Sequence, residues 1–189
     1  MHKKLPNIFI FLDKYNSYVF NNNSTNIGII YRNYKDKNRE LELIKIASAC
    51  KKNRYKLYVS NNIKLTLKYK ADGIYLPSFN KTKKYLNLEN SNIEILGSAH
   101  TQKEINEKIS QNCKAIFLSP LFSSKKSNKF LYLHKFNYLS QINKIKFFAL
   151  GGISKSNISK LKLLSIEGFG GIGLFKKKPA YKRPVFIKK

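Results

Sequence analysis

IKFFALGGISKSNISKLKLLSIEGFGGIGLF, running from Ile145 to Phe175, is the stretch that decides the fold. Phe147–Leu150 has no polar alternation, so it reads as a strand buried on both faces. Gly151-Gly152 breaks that strand, and an amphipathic helix is predicted over Ser156–Ser165. A glycine-rich apolar strand is predicted over Gly170–Phe175. Bare backbone N–H groups at Gly151-Gly152, beside a helix N-terminus, would seat a phosphate or pyrophosphate ester. A tight turn between strand and helix uses the same two residues, so the rest of the chain has to separate these readings.

The same alternation runs through all 189 residues. Strands are predicted at Asn7–Leu12, Ile27–Arg32, Lys56–Ser60, Gly73–Leu76, Ile93–Ser98, Ala115–Leu118, Lys146–Leu150 and Gly170–Phe175. Helices are predicted between them at Asn38–Asn53, Ile63–Lys70, Thr101–Gln111, Tyr132–Asn143 and Ser156–Ser165. Asn38–Asn53 sets Leu41, Ile44, Ala47 and Ala49 near one face, with acids early and lysines late as the helix dipole prefers. Thr101 and Glu104 make a capping box. Short strands alternating with helices pair in parallel through right-handed crossovers. Eight of them predict a single (β/α)8 TIM barrel. Lys14–Asn26 is too polar and Asn-rich for a full first helix, which is expected to be shortened or missing. An open doubly wound sheet is the structural alternative. The barrel domain is assigned to residues 1–175, and residues 176–189 (KKKPAYKRPVFIKK) to a basic C-terminal tail.

Apolar residues make up 42% of the chain, enough for the core of one domain. Cys50 and Cys113 form no CxxC pair, which points to a reducing compartment. The first apolar run, Ile8–Leu12, is too short for a signal peptide, and no run approaches the ~18 residues of a membrane span. These features predict a cytoplasmic protein with no membrane partner. The formal charge is +27, from 37 basic and 10 acidic residues. Only Arg32, Arg39, Arg54 and Arg183 are arginines, and the lysines are spread along the chain. Lys, Asn and Ile abundance fits an AT-rich genome, whereas a base-reading protein favours Arg. The charge therefore reads as compositional drift that still draws in anionic metabolites, with a nucleic-acid-associated protein as a remote alternative.

In a barrel the chemistry sits at the carboxyl ends of the strands. Those ends are Arg32, Ser60-Asn61-Asn62, Pro77-Ser78, Ser98-Ala99-His100, Ser119-Pro120, Gly151-Gly152 and Phe175-Lys176, with Asp13 the one acid after a strand. The set is rich in anion donors and poor in carboxylates.

Five motifs then come in a family's order. ADGIYLP (71–77), LGSAHT (96–101), FLSPLFSSKK (117–126), FFALGGI (147–153) and GFGGIGLF (168–175) resemble the thiamine-phosphate synthase/TenI family, and IGIIYRNY (27–34) resembles a divergent, alphaproteobacterial-like branch of it. The resemblance covers about Ile27 to Phe175. It implies a (β/α)8 barrel acting in thiamine biosynthesis. Its synthases join hydroxymethylpyrimidine pyrophosphate to thiazole phosphate, releasing pyrophosphate with the help of Mg²⁺. It implies a phosphate seat at Gly151, Gly152 and the turn Leu174–Lys176. It also implies substrate-binding roles for Arg32, Ser98, Ser124, Lys125, Lys126 and Lys176. The family's two metal-binding Asp positions fall on Asn61 and Asn80, which are counted as substrate-binding, with no metal ligand assigned. Lys35, Lys125 and Lys126 are candidates to replace the missing metal charge. The TenI alternative is a thiazole tautomerase or a non-catalytic phosphate binder. There His100 is the implied acid/base, and no metal is needed. A histidine packed at a helix N-terminus reads equally well from the residues. The partners are small phosphorylated pyrimidine and thiazole ligands, and the oligomeric state, a homo-oligomer included, is left open.

Overall fold

The computed structural model describes residues 4–21, 26–34, 36–88, 92–124 and 128–175. Eight parallel strands follow the chain in order and close on themselves. They are β1 (Ile8–Leu12), β2 (Ile27–Tyr31), β3 (Lys56–Ser60), β4 (Gly73–Leu76), β5 (Glu94–Ala99), β6 (Ala115–Leu118), β7 (Lys146–Ala149) and β8 (Gly168–Gly171). The closing pair sets Ile8 against Phe169 and Ile10 against Gly171. Closure removes the edges that an open doubly wound sheet would leave, so that alternative is overturned.

Strand alternation divides the side chains into an inner and an outer set. Leu5, Phe9, Phe11, Ile30, Tyr58, Tyr75, Leu96, Ala115, Phe117 and Phe148 fill the barrel. Phe9 meets Phe117 and Phe148 edge-on, each with ring centres 5.0 Å apart. So many rings fit because their cross-strand partners are small. Phe9 pairs with Gly28, where a Cβ would stand 2.5 Å from its ring. Tyr58 pairs with Gly73, where a Cβ would come within 2.7 Å of its ring. At the amino end of the barrel, Glu94 accepts hydrogen bonds from the Tyr58 hydroxyl at 2.6 Å and from Lys56 at 3.0 and 3.1 Å. This buried carboxylate is thereby fully paired, as burial of a charge requires.

The outer layer is thinner than expected. Five α-helices are described: α1 (Ser17–Asn21), α2 (Arg39–Asn53), α3 (Ile63–Lys68), α4 (Gln102–Ser110) and α5 (Tyr132–Gln141). The five-residue α1 matches the shortened first helix expected of Lys14–Asn26. Helix α2 spans the expected residues but turns a different face inward. Leu43, Ile46 and Cys50 are buried, whereas Leu41 and Ile44 are exposed. Both stripes repeat at helical spacing, and only contact with β2 and β3 chooses between them. The helix expected at Ser156–Ser165 is a 3-10 turn over Ile158–Leu163. There Asn157 Oδ1 accepts from the Ser154 N–H and its amide donates to the Gly152 carbonyl, bonds that compete with an α-helical start. Strand β8 ends at Gly171, not Phe175, and Gly173–Phe175 forms a second tight turn. Phe175 there stacks on Phe169 with ring centres 6.3 Å apart. The tail 176–189 lies outside the described residues. Among the described residues no helix is long and apolar enough to cross a membrane.

Candidate functional site

A cavity of about 1540 Å³ opens at the carboxyl ends of the strands, lined by Phe11, Arg32, His100, Ser119, Ser124, Gly151, Gly152, Ile153 and the Gly170–Leu174 turn among others. The closed barrel alone brings these residues together, since they come from β1 and from the carboxyl ends of five other strands.

The glycine pair is positioned by sterics. Gly151 and Gly152 have φ of +89° and +68°, a region that disfavours residues with a Cβ. A Cβ on Gly152 would lie 2.3 Å from the Phe122 carbonyl oxygen. The loop after β7 thus lies directly on the loop after β6, and the Phe122 N–H donates to the Gly151 carbonyl at 3.1 Å. The N–H groups of Gly151, Gly152 and Ile153 make no hydrogen bond among the described residues. Three unpaired donors on one loop, rimmed by the hydroxyls of Ser123, Ser124 and Ser154, suit an anion. The helix N-terminus expected here is absent, so the backbone nest and the serines form this part of the cavity.

Arg32 follows β2, three strands away around the barrel. Its guanidinium lies over the Phe11 ring, 5.4 Å from the centre, and its N–H donates to the Leu12 carbonyl at 2.7 Å. Tyr75 lies deeper, its hydroxyl pushed up to about 12 by burial, against the opposing hydrogen bond from Ser98 and the charge of Arg32. Ser98 is therefore a buried partner of Tyr75 and does not line the cavity. Tyr34, raised by burial, bonds the Ser60 hydroxyl at 2.6 Å.

His100 lies at the rim of the cavity. Its Nδ1 is 2.7 Å from the Ser119 carbonyl oxygen and 3.2 Å from the Ser119 hydroxyl. A carbonyl only accepts, so Nδ1 holds the proton and Nε2 keeps its lone pair in the neutral ring. Glu104 accepts from the His100 N–H at 2.6 Å, one residue earlier than an ordinary capping box, while Thr101 caps the Glu104 N–H. The start of α4 thus holds His100 in place. Ser119, its partner, stood among the strand ends but was given no binding role from the sequence. The signal was its position at the end of β6.

Asn61 and Asn80 do come together, at the ends of β3 and β4, and the Asn80 amide donates to Asn61 Oδ1. The set does not fit Mg²⁺. Both residues are neutral, their side chains are engaged with each other, and among the described residues no group of three His, Cys, Asp or Glu could hold a metal. Lys35, Lys125, Lys126 and Lys176 lie outside the described residues.

Fold and cavity define a (β/α)8 barrel whose cavity, at the carboxyl ends of the strands, brings Arg32 and the Gly151–Ile153 N–H groups together. A family model described as thiamine monophosphate synthase matches residues 25–173, and the chain belongs to that family. A thiamine-phosphate synthase of Prochlorococcus marinus subsp. pastoris is 33% identical over 142 residues, covering 72% of this chain and 40% of its own. Another, from Prochlorococcus marinus strain SARG, is 30% identical over 130 residues, covering 67% of this chain and 37% of its own. The chain therefore spans about two fifths of the length of these curated relatives. The solved thiamine phosphate pyrophosphorylase from Pyrococcus furiosus superposes with a TM-score of 0.72 at 18% identity, over 89% of this chain and 86% of that one, which shows the shared fold.

Proposed function

We propose that this protein is a thiamine-phosphate synthase-like enzyme of thiamine biosynthesis, joining hydroxymethylpyrimidine pyrophosphate to thiazole phosphate with release of pyrophosphate. The observation that carries the reading is one cavity holding both an unpaired N–H nest at Gly151–Ile153 and a cation at Arg32. The nest and its serines take the thiazole phosphate. In the ligation, the bond between the pyrimidine methylene carbon and the pyrophosphate oxygen breaks, and its electron pair leaves with pyrophosphate. The lone pair of the thiazole nitrogen forms the new bond to that carbon. Arg32 offsets charge growing on the leaving oxygen. His100 Nε2 accepts a hydrogen bond from the bound ligand. A cytoplasmic location, an oligomer and a barrel domain ending near residue 175 are compatible with this reading.

One observation favours a second reading, a thiazole tautomerase. The Ser119 carbonyl holds the Nδ1 side of His100, and its Nε2 has no partner among the described residues, as a metal-free proton transfer requires. Incubation with both substrates tests the two. Thiamine phosphate and equimolar pyrophosphate are expected. Absence of product at high protein concentration rejects the synthase reading.

A further inference from the structure

Lys108 is wholly buried on the inner face of α4. Gly97 makes room for it, since a Cβ there would lie 2.8 Å from Lys108 Cδ. Its Nζ donates to the Asn80 carbonyl oxygen at 2.6 Å and to Gln111 Oε1 at 2.8 Å. Burial lowers its pKa, yet charged or neutral it remains a donor toward both acceptors.

That donor fixes the direction of every hydrogen bond beyond it. Gln111 must turn Oε1 to Lys108, so its Nε2 faces the loop after β4 and donates to the Asn80 carbonyl, Asn80 Oδ1 and the Thr82 carbonyl. The Thr82 N–H also donates to Asn80 Oδ1 at 2.9 Å. Asn80 Oδ1 is thus pinned as an acceptor away from the mouth, and its Nδ2 is turned to Asn61. Asn61 Oδ1 is consumed by that bond, and Asn61 Nδ2 is left with no partner among the described residues. Asn61 is half-buried, at φ +55°, fixed by its N–H donating to the Tyr75 carbonyl at 2.9 Å. Its neighbour Ser60 bonds Tyr34, whose hydroxyl feels the charge of Arg32.

A divalent cation needs oxygen atoms pointing at it. This corner offers the amide N–H of Asn61 Nδ2 instead, with Lys108 holding the Asn80 carbonyl and Gln111 Oε1 from behind. We infer that Asn61 is an anion ligand, its Nδ2 giving amide N–H bonds directly to the pyrophosphoryl oxygens of the substrate while Asn80 holds it in that orientation, so that pyrophosphate binds here without a divalent cation. The inference rests on the proposed function for the identity of the substrate. It changes the polarity of this corner from cation-mediated to direct contact.

Titration calorimetry with inorganic pyrophosphate, in EDTA and in Mg²⁺, tests it on the full chain. Equal affinity in both conditions is expected. Asn61→Asp should weaken binding in EDTA by about tenfold or more, because a carboxylate replaces the donor. Asn61→Gly tolerates the positive φ, removes the amide and should weaken binding by about tenfold, which keeps the test valid if the Asp variant fails to fold. Pyrophosphate binding that requires Mg²⁺, no pyrophosphate binding at all, or unchanged affinity in both variants overturns the inference. Thiazole phosphate, titrated separately, reports on the Gly151–Gly152 nest. Its failure to bind overturns the proposed function instead.

Discussion

The Nδ1 of His100 lies 2.7 Å from the carbonyl oxygen of Ser119, and this one contact fixes which ring nitrogen is left without a partner among the described residues. Two strands contribute, β5 through His100 and β6 through Ser119, and neighbouring barrel positions make the bond automatic.

The first prediction concerns that ring. His100→Ala should lower kcat by about a hundredfold if Nε2 handles a proton, with thiazole phosphate affinity nearly unchanged. If His100 only orients a ligand, KM rises and kcat holds. Steady-state kinetics separates these outcomes.

The nest should be sensitive to its outer support. Asn157→Ala removes the bonds to the Ser154 N–H and the Gly152 carbonyl. Thiazole phosphate binding is expected to fall about tenfold with a small change in Tm. Gly152→Ala is a poorer test, because the clash with Phe122 and the positive φ add ~1–3 kcal/mol of destabilisation.

Arg32→Gln is shorter, keeps a hydrogen-bond donor and removes the charge. Pyrophosphate affinity should drop by about tenfold to a hundredfold, and the salt dependence of binding should flatten. Thiazole phosphate affinity, measured in parallel, is expected to change less.

Stability should fall in alkali. Burial pushes the Cys50 and Cys113 thiols from 9.0 up to about 12. Unfolded thiols ionise first, so the unfolded chain releases protons that the folded chain retains. The stabilisation is complete below pH 9 and is lost as pH rises toward 12. Urea midpoints at rising pH check this, and Cys50→Ala with Cys113→Ala should reduce the alkaline slope.

The barrel interior makes a prediction of its own. Gly28→Ala sets a methyl against the Phe9 ring and should destabilise by ~1–3 kcal/mol through overpacking. Thermal unfolding reads the loss.

Much of this was legible in the residues. Apolar runs such as Phe147–Leu150 read as buried strands, and eight strand candidates alternating with helices predicted a barrel, but only the pairing of β1 with β8 removed the open-sheet alternative. Gly151-Gly152 and Arg32 were legible because strand ends are local features. The inward face of α2 was not. Leu41/Ile44 and Leu43/Ile46 are equally apolar stripes, and the angle at which the helix meets β2 and β3 selects between them. The end of β8 was set by its pairing with β1, which a run of glycine and apolar residues does not encode.

The sequence by itself determined the alternation of strands and helices, the glycine pair after β7 and the presence of Asn61 and Asn80 after β3 and β4. Only the tertiary structure decided what those asparagines present. Their orientation is set by Lys108, far along the chain on α4, through Gln111. Hydrogen-bond polarity passes between side chains through space, and it exists only once the barrel has brought those side chains together.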